Sequence, residues 1–212
     1  MNTRTQTVDE EVANALSHGI GFLLAVASLP VLVAFAARHS SRGAMLGACV
    51  FSATMMTLYF ASAVYHALPR GRTKDWFNRL DHAAIYLFIA GTYTPFALGQ
   101  LHDSTGWAPF ALVWSLALAG MWAKVRNRLR HPLWSTALYM ALGWLALVAA
   151  APLLQRLPFD ALLLLFGGGL AYTVGAVFFL LDDRVRYGHF VWHLFVLIGS
   201  SCHFFATLWH AA

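Results

Sequence analysis

Charged residues fall in clusters along this chain. Between the clusters lie seven stretches with no Asp, Glu, Lys or Arg: 12–37, 43–69, 82–102, 104–123, 131–155, 161–181 and 187–212. Each is close to the ~20 residues a helix needs to cross a hydrocarbon core about 30 Å thick. Runs such as 161–165 and 176–181 are apolar at every position and lack the in–out alternation of a barrel strand. Helices and closed barrels alone satisfy their backbone hydrogen bonds in lipid, so the pattern predicts helices, with spans at about 17–37, 44–68, 82–101, 107–123, 133–153, 161–181 and 188–210. The connections at 38–42, 69–80, 102–106, 124–132, 156–160 and 182–188 are short, which makes neighbouring helices antiparallel. No linker or low-complexity run divides the chain. The expectation is an all-α, seven-transmembrane helix bundle, one domain over residues 1–212.

Composition agrees with lipid as the solvent. Apolar residues make up 59% and charged residues 11% of the chain, against roughly 45–50% and about 25% in soluble domains. The net charge of +5 carries topology, not a nucleic-acid footprint. The N-terminal tail and every second connection hold Arg4, then Arg70, Arg72, Lys74 and Arg79, then Lys124, Arg126, Arg128 and Arg130, then Arg184 and Arg186; the other connections hold only Arg38, Arg42 and Arg156. Basic loops stay in the cytoplasm, which puts the N-terminus inside and, after seven crossings, the C-terminus outside. Membrane lipids are the expected partners, with some attraction to anionic headgroups, in a multi-pass protein of the cell (plasma) membrane. Asp9, Glu10 and Glu11 stand where a signal peptide carries basic residues, so no cleavable signal is expected. Cys49 and Cys202 fall inside spans and read as small core residues. Gly167, Gly168, Gly169 and Gly175 offer close helix approach, and Pro30 and Pro95 offer kinks.

Chemistry is suggested by polar groups inside the spans, where polarity is costly and functional. The second span ends in Ser62-Ala63-Val64-Tyr65-His66, the third opens on Asp81-His82, and the seventh opens on His189-Phe190-Val191-Trp192-His193. A spacing of four places Ser62 with His66, and His189 with His193, on one helix face. All five residues lie near the cytoplasmic ends of their helices and so converge at one depth. Three neutral imidazoles suit zinc, whose catalytic sites use three protein ligands and keep one position open. The expected ligands are His66, His189 and His193, with Asp81 and Ser62 beside them as the catalytic pair. His203 lies ten residues past His193, roughly 15 Å farther along a helix, too far for the same ion. His82 points about 100° away from Asp81. Glu11, Asn14 and His18 form a polar stripe at the right depth, readable either as part of the site or as a solvated helix start.

These motifs resemble the hemolysin III family, the bacterial branch of the progestin and adipoQ receptor group. The resemblance rests on Glu11-x-x-Asn14-x-x-x-His18-Gly19, Ser62-x-x-x-His66, Arg79-Leu80-Asp81-His82, Gly91-Thr92-Tyr93-Thr94-Pro95-Phe96, and His189-x-x-x-His193 followed by His203-Phe204, in this order over nearly the whole chain. It implies seven helices with the N-terminus inside, and zinc held by His66, His189 and His193 with Ser62 and Asp81 nearby. The long N-terminal cytoplasmic region of the animal receptors is missing here. Three functions are open at this point: a zinc hydrolase acting on a lipid amide or ester, a hemolysin-type membrane-active or pore-associated protein, and a sensor of membrane state with structural zinc.

Overall fold

A computed structural model of the chain describes residues 4–39, 41–100, 104–149, 155 and 157–211. Seven helices run through them: α1 Val8–His39, α2 Arg42–Ala67, α3 Arg72–Gln100, α4 Ser104–Val125, α5 Pro132–Ala149, α6 Phe159–Leu180 and α7 Gly188–His210. The far end of the 82–101 span, residues 150–153 of the 133–153 span, His102, Arg156 and Ala212 lie outside the described residues.

Two helices begin well before their apolar stretches, for local reasons. Thr7 and Glu10 form a reciprocal cap: the Thr7 N–H donates to Glu10 Oε2 at 2.9 Å and the Glu10 N–H donates to Thr7 Oγ1 at 3.3 Å. This satisfies two backbone donors at a helix start, and α1 therefore opens at Val8. The 69–80 connection is likewise mostly helical. Helix α3 already runs from Arg72, and Lys74 Nζ donates to the carbonyls of Tyr65 and Leu68, both at 3.0 Å, tying its first turn to the end of α2. Asp81 thus lies in the third turn of α3 and is not its N-cap. At the other end of α2, Ser41 caps the helix by accepting from the Ala44 N–H at 3.2 Å.

Each helix packs against its neighbours in the chain, and α7 returns to α1, so the seven form a closed ring. Helix α3 also touches α5 and α7 across the interior. One core cluster joins α1, α2, α3 and α7 through Leu32, Phe51, Met55, Tyr59, Phe88 and Val196. A second joins α3 to α4, α5 and α6 through Tyr86, Phe96, Val113, Tyr139, Leu142 and Leu165. Close packing uses some of the glycines but not all. A Cβ on Gly175 would come within 2.7 Å of Trp192, and one on Gly47 within 2.6 Å of the Pro95 backbone, whereas Gly167 and Gly169 face open space. Cys49 and Cys202 are free thiols.

The outside of the ring is apolar. Leu16, Ile20, Leu23 and Leu24 on α1 and Leu163, Phe166 and Leu170 on α6 are all exposed. Most of the exposed tryptophans sit near helix ends, Trp76, Trp122 and Trp134 at the end where α2 finishes and Trp107 and Trp209 at the other, while Trp144 lies within α5. Indole rings favour the two membrane–water interfaces. Helices α1, α2, α4, α6 and α7 are long and apolar enough to cross a membrane. Helix α3 is more polar because its neighbours shield it, and α5 is described for 18 residues.

Candidate metal centre

At the end of the ring where α2 finishes and α3 and α7 begin, three buried histidines meet. His66 comes from the last turn of α2, and His189 and His193 from successive turns of α7. Their available ligand atoms all lie within 4.8 Å of one another. The ring centroids stand 4.8–5.0 Å apart, with His189–His193 the shortest and His66–His193 the longest. This cluster can coordinate a metal ion.

Each ring is held from behind. His66 Nδ1 donates to Glu11 Oε2 at 2.7 Å, and the other oxygen of that carboxylate takes Lys74 Nζ at 2.9 Å. His189 Nδ1 donates to Asp182 Oδ2 at 2.8 Å. His193 Nδ1 donates to Ser17 Oγ at 3.0 Å and to the Asn14 carbonyl at 3.3 Å, while the Ser17 hydroxyl donates its own hydrogen bond to that carbonyl at 2.8 Å. Anchoring through one nitrogen fixes the tautomer and leaves Nε2 as a lone pair, the arrangement found around metal-ligating histidines. In His66 that Nε2 is buried with no hydrogen-bond partner. An orphaned buried polar atom is costly and calls for a missing partner, and a metal ion fits the donor set.

Ser62 and Asp81 are buried at the margin of the cluster. The Ser62 hydroxyl is near enough to Asp81 to interact with it but forms no well-aligned hydrogen bond. The Asp81 carboxylate stands 3.8 Å from His82 Nδ1 and within electrostatic reach of His189 and Lys124. Asp81 is not part of the three-histidine group.

The polar stripe on α1 is not a solvated helix start. Asn14 is 0% and His18 3% exposed, and Glu11 is half-buried with its carboxylate on His66 and Lys74, because this face packs against α2 and α7. His18 lies flat on His193, with ring centroids 3.5 Å apart and planes 8° from parallel, and takes the edge of Tyr59 on another side. His82 and His203 stay out of the cluster. His82 Nδ1 donates to the Asn78 carbonyl at 2.8 Å, and His203 Nδ1 to the Gly199 carbonyl at 2.9 Å.

Three contributors were not foreseen from the sequence: Ser17, Asp182, and Lys74 acting through Glu11. Asp182 lies in the connection just before His189 and was the readable one, as an acidic residue adjoining a pair of histidines.

From the cluster a cavity of about 150 Å³ extends between α3, α5, α6 and α7. Asp81, His189 and His193 line one end. Phe88, Ile89, Phe96, Trp144 and Leu165 make its largely apolar walls. Gly143 and Gly169, with open space where a side chain would stand, lie along α5 and α6.

Comparison with known proteins agrees with the motifs. A family described as "Haemolysin-III related" matches residues 6–204. "Hemolysin-3" of Bacillus cereus is 41% identical over 210 residues, covering 99% of this chain and 95% of that protein. The "Hemolysin-3 homolog" of Bacillus subtilis is 41% identical over 204 residues, covering 96% and 95%. The human "Monocyte to macrophage differentiation factor" is 26% identical over 212 residues, covering 94% and 84%. No solved structure matches.

Proposed function

The chain belongs to the haemolysin-III family, within the progestin and adipoQ receptor group, and is a multi-pass protein of the plasma membrane; from that premise we propose that it is an intramembrane zinc hydrolase that cleaves an amide or ester bond of a lipid. In this reading the protein is a single domain crossing the membrane seven times, with the N-terminus and the histidine cluster on the cytoplasmic side and the C-terminus outside.

The observation that carries the proposal is the set of three buried imidazoles, each held through Nδ1, whose available ligand atoms lie within 4.8 Å of one another. His66, His189 and His193 would hold the ion, which when bound would supply a Lewis acid able to polarise a carbonyl and to lower the pKa of water to about 7. Asp81 would take the proton of the attacking water on its carboxylate, and the Ser62 hydroxyl would donate a hydrogen bond beside it. The apolar cavity accommodates the hydrocarbon of the substrate and keeps bulk water from the bond being broken.

Purified zinc-loaded protein given ceramide-like or phospholipid substrates is expected to release free fatty acid. Release should fall sharply in Asp81→Ala with zinc retained, and a hydroxamate should inhibit it without removing the metal. The name of the Bacillus cereus relative supports a second reading, a membrane-active or pore-associated protein. The mostly apolar cavity wall speaks against a water-filled path. No turnover across a broad lipid panel, together with leakage from liposomes, would establish that reading instead. Structural zinc in a membrane-state sensor would call for a closed site, usually of four protein ligands, and the group found among the described residues has three.

A further inference from the structure

A neutral imidazole carries one N–H and one lone pair. Five histidines line the cavity: His18, His82, His189, His193 and His203. In four of them the Nδ1 proton is already committed, to the carbonyls of Asn78 and Gly199, to Asp182, and to Ser17 with Asn14. Their Nε2 atoms can therefore only accept. His18 differs. Both of its ring nitrogens are buried with no hydrogen-bond partner, although the residue is 3% exposed. Leaving an imidazole wholly unsatisfied in a packed core is costly, and the position is maintained by a flat stack on His193 and an edge contact with Tyr59.

His18 is not a fourth ligand in this arrangement. Imidazole binds a metal in the plane of its ring. An ion bound in the His193 plane would stand well out of the nearly parallel His18 plane, the two ring centroids being 3.5 Å apart, where His18 could not make an in-plane bond of about 2.0–2.1 Å. A substrate oxygen beside that ion is under no such restriction.

We propose that His18 is a substrate-binding residue of this site, its ring N–H donating a hydrogen bond to the carbonyl oxygen of an amide or ester lipid whose chain occupies the apolar cavity. This deepens the hydrolase reading and rests on it for the class of substrate. A carbonyl oxygen accepts and cannot donate, so it needs a donor, and among the described cavity-lining histidines His18 has the uncommitted one. Leu58, Phe88 and Val196 line the same cavity, which suits the carbon chain attached to that carbonyl.

The test compares wild type with His18→Phe, which keeps a flat ring for the stack, and His18→Gln, which restores an N–H donor. Zinc content is measured first. Binding of hexadecanamide and of hexadecane is then followed by tryptophan fluorescence, since Trp144 and Trp192 line the cavity. The expected result is unchanged zinc, hexadecanamide affinity reduced roughly tenfold in His18→Phe, partial recovery in His18→Gln, and no change for hexadecane. Unchanged amide affinity in His18→Phe overturns the proposal. So does loss of zinc or of the fold in both variants, which makes His18 part of the scaffold. His18-dependent amide binding by a protein that releases no fatty acid leaves this inference standing and removes the hydrolase reading. Fatty acid release with the same kcat and KM in His18→Phe does the reverse.

Discussion

The second contact of each histidine decides which nitrogen faces the cluster. Glu11 holds His66, Asp182 holds His189, and Ser17 with the Asn14 carbonyl holds His193. About one zinc per chain is expected for the wild type, lost or greatly weakened in His66→Ala, His189→Ala and His193→Ala but kept in His203→Ala; equal loss in all four would assign the effect to folding. Glu11→Gln, Asp182→Asn and Asp81→Asn should keep zinc with an affinity lower by about 10–100-fold, as is typical when a group behind a ligand is changed. Metal analysis after competition with a chelator separates these two levels. The three histidines were legible because spacing by four and a shared depth are both properties of sequence. Their anchors were not, since Glu11 meets His66 across 55 positions and no period connects them. His18 was ambiguous for a related reason: helical spacing identifies a face but not what covers it. The cover here is α2 and α7, which turned a stripe that reads as solvated into part of the site.

Among the elements, α7 is the one most dependent on outside support. Its first residue follows Tyr187, whose φ of 58° lies in the left-handed region, an uncommon conformation for a side chain of that size. The Tyr187 N–H donates to Glu10 Oε1 at 2.8 Å. Arg4 binds both oxygens of Glu10, at 2.7 and 2.8 Å, and reaches the carbonyls of Asp182 and Val185, each at 3.3 Å. That contact with Glu10 holds the Arg4 guanidinium above its ordinary range. The start of α1 thus fixes the loop that supplies Asp182 and the turn that presents His189. Glu10→Ala removes the ion pair of Arg4, leaving it only the Asp182 and Val185 carbonyls, and leaves the Tyr187 N–H unpaired, so it should lower the thermal midpoint by several degrees and weaken zinc by roughly tenfold. Unaltered zinc affinity in a destabilised Glu10→Ala protein would separate the clamp from the site. The early starts of α1 and α3 escaped the apolar pattern because hydropathy reports which residues suit lipid. Capping by Thr7 and Glu10, and the bonds from Lys74 to the end of α2, form helix outside that zone.

At the scale of the whole molecule, the basic residues gather at the end that carries the histidine cluster. A reporter active only outside the cytoplasm is expected to be active when fused after Ala212 and silent after Arg128; the reverse pattern would move the site to the outer face. The apolar pattern made the helices legible. It did not reveal their arrangement, because outward-facing leucines and inward-facing ones look alike to a hydropathy average. Neighbour-to-neighbour packing closed by α1 against α7 also sets an order in time. His66 waits on α2 and its anchor Glu11 on α1, yet two of the three imidazoles arrive with α7, the last described helix to leave the ribosome. Until then the growing chain must carry His66 and Asp81 through insertion without the histidines of α7, although Glu11 already has His66 and Lys74 beside it. Any metal held there joins the earliest helices to the latest, so an ion that fills the cluster would act as a latch on the finished ring, taken up only after synthesis has passed His193.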